Sequence, residues 1–245
     1  HLWKIFLRFT KKPGKGNFMK WKANWIWNKR AQYNQYNDSI VVTKQFKVSN
    51  FRDAVIHITA DTFYRLYINE VWVNDGPGRA WPEHYSYDSI NMNAYLNTGT
   101  NNVKIIARYW GTGDFHHVPQ QAGLLAQIDI TAADGSVKSI PTNSTWQAAD
   151  YKSLLRNTPK VSIQMEPAEY FDARLSEKLT FKNATVLCKA DAGPWKGLTE
   201  RKFPLLARKE VCARSFLSAK AVESPGDYWC LYFRNLIHSD VIEAN

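Results

Sequence analysis

An all-β jelly-roll sandwich is the fold this sequence predicts, and three features predict it. Short apolar stretches alternate with a period of two. Turn-forming residues separate these stretches roughly every ten residues, the spacing of a sandwich. No long segment carries the apolar period of an amphipathic helix.

The elements follow in order. NWIW at 24–27 reads as a strand whose Trp25 and Trp27 share one face, which makes both core residues and not a ligand platform. IVVTKQFKV at 40–48 is β-branched and apolar. In AVIHITA at 54–60, Ala54, Ile56, Ile58 and Ala60 share one face, and Val55, His57 and Thr59 the other. FYRLYIN at 63–69 and VWV at 71–73 form two strands joined by a tight turn at Asn69 and Glu70. NMNAYL at 91–96 allows one short helical turn before the strand NVKIIARYW at 102–110. GLLAQIDIT at 123–131 is followed by Asp134-Gly135, a strong hairpin signal, and then by SVKSI.

Alternation weakens after residue 175. The expected organisation is a basic leader at 1–18, a sandwich at 19–175, a packed connector at 176–210, and the start of a further β region or tail at 211–245. The last is too short to close a sandwich alone.

Charge and composition exclude several function classes. The net charge is +10, but Lys4, Arg8, Lys11, Lys12 and Lys15 supply half of it in the acid-free leader. No zinc finger, ribonucleoprotein or helix-turn-helix pattern accompanies the charge, so no nucleic-acid partner is expected. No apolar run reaches the length of a membrane span, and no membrane partner is expected. Cys188, Cys212 and Cys230 make no metal spacing and no disulfide framework. The opening HLWKIFLRF is too short and too interrupted by charge for a signal peptide, which favours a cytoplasmic location and makes the sequons at Asn37, Asn143 and Asn183 chance matches.

Two loops carry the candidate chemistry. DGPGRAWPEHYSYD at 75–88 is made irregular by Gly76, Pro77, Gly78 and Pro82. A sugar site needs a flat apolar face for C–H groups and fixed polar groups for hydroxyls. The loop also carries Tyr85; Trp81 offers the first, and Asp75, Arg79, Glu83 and His84 the second. The competing reading is that these residues tie the loop to the sandwich. YWGTGDFHH at 109–117 adds Trp110, Asp114, His116 and His117. Neighbouring histidines on a strand point to opposite faces, so a surface loop is favoured over a metal site. No dense run of oxygen ligands occurs, and neither a metal nor a cofactor is expected. If the two loops lie at the same end of the sandwich, they form one concave patch.

Several segments, taken in order, resemble the N-terminal region of bacterial α-L-rhamnosidases. They are NWIW at 24–27, ADTFYRLYINEVWVNDGPGRAWPEHYSYD at 60–88, LNTGTNNVKIIA at 96–107, GLLAQIDI at 123–130, NSTW at 143–146, EYFDARL at 169–175 and WKGLTERKFPLL at 195–206. The LYIN turn and the following L-x-x-G-x-N turn also occur in the front domain of β-galactosidase-like enzymes; FDAR and ER-x-x-P-L-L favour the rhamnosidase group. Glu70 stands where a glycine is usual, which predicts an altered turn type. The resemblance implies a galactose-binding-like sandwich placed ahead of an α-helical catalytic toroid. It implies no catalytic residue here, because nothing in the sequence looks like that toroid.

The expected function is therefore a non-catalytic module at the front of a longer rhamnosidase-like glycoside hydrolase. Its partners would be the catalytic module of the same polypeptide and rhamnose-containing glycans, contacted through Asp75, Arg79, Trp81, Glu83, His84, Tyr85, Trp110 and His116. The alternative is a free-standing carbohydrate-binding module. A small complete enzyme is disfavoured: Glu83 and Asp88 sit five residues apart on a loop, with no sign of an acid/base pair. Asp172 and Arg174 in EYFDAR read as a structural ion pair.

Overall fold

The computed structural model describes residues 19–29, 35–175 and 178–207, with residue 215 and the backbone of 220–221 and 237–238. The expected leader, most of the expected tail, Cys212 and Cys230 lie outside the described residues. In chain order the strands are β1 (Asn24–Trp27), β2 (Asp38–Val48), β3 (Phe51–Asp61), β4 (Phe63–Ile68), β5 (Val71–Gly76), β6 (Ser86–Asn91), β7 (Gly99–Tyr109), β8 (Gly123–Ala132), β9 (Val137–Pro141) and β10 (Gln147–Asp150). Then come β11 (Lys182–Asn183), β12 (Thr185–Lys189), β13 (Thr199–Glu200), β14 (Lys220–Ala221) and β15 (Ile237–His238). Short 3-10 turns occupy Asn93–Tyr95 and Ala173–Leu175. Among the described residues no helix is long and apolar enough to cross a membrane.

Two sheets face each other. One runs β12-β1-β8-β3-β6-β13, with β9 also on β8; the other runs β11-β10-β2-β7-β4-β5. Their inner faces follow from the period of two. Ala54, Ile56, Ile58 and Ala60 of β3 pair across to Ile130, Ile128, Ala126 and Leu124 of β8, and all eight are buried. Opposite them lie Tyr64, Leu66 and Ile68 of β4 and Val103, Ile105 and Ala107 of β7. Each fully buried aliphatic side chain contributes roughly 1.5–3 kcal/mol.

The segment after residue 175 is more than a covering connector. β11 extends the second sheet and β12 extends the first, so 182–189 belongs to both layers. Such two-to-five-residue strands leave too few alternations for a sequence pattern to show. Further along, Trp195 stacks on Trp25, with ring centroids 4.0 Å apart. Gly123 makes that packing possible, because a Cβ there would lie 2.7 Å from the Trp195 ring.

β1 corrects one expectation. Trp25 and Trp27 do not share a face: Trp27 joins the main core, while Trp25 belongs to a small second cluster with Trp195, Tyr85 and Leu125. A β-bulge between Trp25 and Ile26 breaks the alternation. Both tryptophans are fully buried, as core residues should be.

The turn between β4 and β5 corrects another. Asn69 and Glu70 both have positive φ, +48° and +66°, the signature of a type I′ turn. The usual hairpin turn survives without its glycine. Asn69 holds it through bonds from its Nδ2 to Tyr95 O and Asn101 Oδ1, both 2.8 Å, and by accepting from Asn102 N at 2.9 Å. Asn101 in turn closes the LNTGTN turn by bonding Asn97 at both its N–H and its carbonyl. Glu70 carries the left-handed strain, offset in part by an exposed ion pair with Lys104. Glu70→Gly is expected to raise stability by roughly 0.5–1.5 kcal/mol, seen as a higher denaturant midpoint with an unchanged slope.

On the outer face of the first sheet, His57 sits edge-on to Trp21 and Tyr87, with Nδ1 2.8 Å from Ser89 Oγ. Burial lowers its pKa, against the opposing pull of Asp129 and Glu200. The unfolded chain therefore binds more protons just below the ordinary histidine value near 6.5. Stability should be full above that value and fall as pH drops through it toward the lowered folded value. The melting temperature should fall with decreasing pH over this range in the wild type, and this dependence should flatten in His57→Gln.

Candidate functional site

The register of the strands brings several loops to one end of the sandwich. β3 finishes there at Asp61 and β4 begins at Phe63, which pairs with Arg108 near the end of β7. β5 ends beside them, with Gly76 opposite Tyr64. The chain leaving β5 at 77–80, the chain leaving β7 at 110–117, and the segment 164–166 enclose an open cleft of about 420 Å³. Its polar groups include Arg79, Asp114, His116, His117, Gln164 and Glu166, and its aromatic walls are Phe63, Tyr85 and Trp110.

The two loops singled out in the sequence do meet, and four of the eight named residues line the cleft: Arg79, Tyr85, Trp110 and His116. Arg79 and His116 are exposed, Trp110 is half-exposed, and Tyr85 is buried and presents only ring surface. The other four lie elsewhere. Asp75 points to the outer face of the second sheet, where it accepts from Arg65 Nε and Trp72 Nε1, each at 3.0 Å. Trp81 bridges to His84 across a turn in which Glu83 has a φ of +73°. That turn packs the tip against 196–199, where Tyr85 N donates to Lys196 O and a Cβ on Gly197 would collide with Glu83 O. Trp81 is therefore 61% exposed on the outside of the loop, and Trp110 is the tryptophan that faces the cleft.

Asp61 organises this end and escaped the sequence reading. It is fully buried at the end of β3. Its Oδ2 accepts from Tyr85 Oη and Trp195 Nε1, both 3.1 Å, and from the backbone N–H groups of Gln120 and Gln121. Its Oδ1 accepts from Thr62 Oγ1 at 3.1 Å and lies 3.2 Å from His117 Nε2. Thr62 Oγ1 in turn accepts from Trp110 N at 3.3 Å. Burial, with the Asp61 charge second, pushes the Tyr85 phenol up and raises Tyr109 to about 12. Tyr85 is thus held as a neutral donor. The one available signal was an unpaired acid closing an otherwise apolar strand.

Both histidines line the cleft; His117 also reaches inward to Asp61 and Thr62, while His116 is exposed. Among the described residues, no three His, Cys, Asp or Glu side chains form a group able to hold a metal ion. Glu83 and Asp88 are in different settings: Glu83 is exposed, and Asp88 is fully buried, bound by Arg201 and by Tyr64 Oη. Asp172 and Arg174 form an ion pair at 2.6 Å, and Arg174 holds the Asp172 carboxyl down to about 2. Arg108, also buried, clamps the chain beyond β10 through Glu169 Oε1 and Pro167 O, at 2.9 and 2.6 Å, and donates to Asn37 Oδ1 ahead of β2 at 2.8 Å.

Residues 49–210 match the family model described as the alpha-L-rhamnosidase N-terminal domain. The chain belongs to this family. An α-L-rhamnosidase of Alteromonas sp. (strain LOR) is 25% identical over 152 residues, which is 53% of this chain and 16% of that relative. Among solved structures, the GH78 family rhamnosidase of Bacillus sp. GL1 superposes with a TM-score of 0.74 and 27% identity, over 84% of this chain and 22% of that one. The α-L-rhamnosidase of Aspergillus terreus gives 0.62 and 20% identity, over 82% and 24%, a likeness in fold. This rhamnosidase N-terminal domain thus spans less than a quarter of the length of each of these relatives.

Proposed function

We propose that this rhamnosidase N-terminal domain is a non-catalytic module that supports a catalytic module of the same polypeptide and contacts the sugar through the cleft at the end of its sandwich. The observation that carries the reading is the meeting of the 77–80 and 110–117 loops around Trp110, with Arg79 and His116 beside it. A half-exposed indole face suits the C–H side of a pyranose, and the neighbouring polar groups suit its hydroxyls. Family membership points to rhamnose-containing glycans as the sugar class. The non-catalytic role is supported by the fate of the carboxylates. Asp61 and Asp88 are saturated by protein donors, and of the two carboxylates that line the cleft, Asp114 is held by the backbone N–H of His116 at 2.6 Å and Glu166 lies on the irregular segment 164–166. An inverting glycosidase needs two carboxyl groups roughly 6.5–9.5 Å apart across an open site.

Isothermal calorimetry with L-rhamnose and rhamnose-containing oligosaccharides tests the reading. Saturable heat is expected in the wild type, weakened about tenfold or more in Trp110→Ala and little changed in Trp81→Ala. Absence of heat from a folded chain, or loss in Trp81→Ala alone, would remove the end cleft from the account.

A further inference from the structure

A second cleft lies on the outer face of the second sheet. The outward residues of β4 are Phe63, Arg65 and Tyr67, opposite Arg108, Ile106 and Lys104 of β7. The chain from 151 to 171 lies along this face, fixed by Tyr151 N to Ser39 O and by the Arg108 clamp. It stops short of β4. Between the two remains a space of about 300 Å³, floored by Ile106 and walled by Phe63, Tyr67, Tyr151 and Phe171. Tyr151 and Phe171 support each other, their centroids 6.3 Å apart.

The polar groups of this cleft have spare valences. Arg65 uses Nε on Asp75, and among the described residues its Nη1 and Nη2 make no hydrogen bond. Glu169 uses Oε1 on Arg108, which leaves Oε2 as an acceptor. The hydroxyls of Tyr67 and Tyr151 have no hydrogen-bond partner among the described residues. Burial raises the Tyr151 phenol, so it stays a neutral donor and acceptor. Charge cancels locally, Arg65 against Asp75 and Arg108 against Glu169. A charged ligand therefore has no excess of opposite sign to meet.

From this combination we infer that the outer-face cleft is a second carbohydrate site, taking one neutral pyranose ring. Aromatic walls meet the apolar ring face, and unpaired donors and acceptors meet the hydroxyls. The volume is at the small end of ligand clefts, which limits the ligand to a single ring and not a chain. The inference stands apart from the end cleft. Phe63 borders both spaces, so the test uses Arg65 and Tyr151, which line this one and not the end cleft.

Saturation-transfer NMR and calorimetry of the full chain carrying Trp110→Ala, with methyl α-L-rhamnopyranoside, methyl β-D-galactopyranoside and methyl β-D-glucopyranoside, provide the experiment. At least one glycoside is expected to bind this chain, and adding Arg65→Ala or Tyr151→Phe should weaken it about tenfold. Tyr151→Phe removes one hydroxyl and keeps the ring, so its effect is read without a change in packing. The proposal is overturned if none of the three binds the Trp110→Ala chain, or if binding is the same after both further substitutions. Neither result bears on the end cleft, whose failure would show as unchanged affinity on Trp110→Ala alone.

Discussion

Asp61→Ala will destabilise the fold by about 3–5 kcal/mol, the cost of stranding buried polar groups that shared one charged partner. Tyr85 Oη, Trp195 Nε1 and two backbone N–H groups would all lose their acceptor. None of these groups can turn to water without moving a loop, because the carboxylate is completely enclosed. Asp61→Asn keeps one acceptor oxygen and should cost less, about 1–3 kcal/mol. Urea unfolding of the three proteins orders them directly. The same substitutions should loosen the end cleft, since Asp61 holds Thr62 and His117, and Thr62 holds the backbone of Trp110.

Trp195→Ala will cost a similar amount, about 3–5 kcal/mol, by a different route. It removes a fully buried ring stacked on Trp25 and leaves a cavity that Gly123 cannot fill. The result bears on the organisation of the chain. If the segment after 175 were only a loose connector, a substitution within it would be nearly neutral. Trp195 also donates to Asp61, so the two effects should not add: the double variant is expected to be less destabilised than the two separate losses together.

What the sequence made legible follows its periodicities. β3, β4 and β7 announce themselves because each has one face on the core and alternates accordingly, while β2 and β8 do so as apolar runs buried on both faces over much of their length. The β4–β5 turn could be placed because two strands flank it closely, and its type was misjudged because a glutamate with a polar neighbour to hold it can take the left-handed conformation. The bulge at Trp25 is invisible in NWIW, since it depends on how β12 pairs with β1. β11, β12 and β13 are too short to show a period.

The candidate site was half legible for the same reason. Arg79, Tyr85, Trp110 and His116 come from two loops whose composition stands out, and strand register carries those loops to one end. Asp75, Trp81, Glu83 and His84 have equally suggestive chemistry. The direction of Asp75 is set by its place on β5 beside Arg65 and Trp72, and that of the other three by a left-handed turn and by contacts with 196–199, more than a hundred residues away. Gln164 and Glu166 reach the cleft through the Arg108 clamp, a long-range contact that composition does not reveal.

The measurement that tests the central claim most directly is a nitrogen–proton correlation spectrum of the isotope-labelled chain titrated with L-rhamnose. The indole N–H of Trp110 and the backbone signals of Arg79 and His116 should move together along one saturable curve, with the Trp81 indole unmoved. Shifts centred on Trp81 and His84, or no shift at Trp110 at saturating sugar, would contradict the assignment of the end cleft as the place where this domain meets carbohydrate.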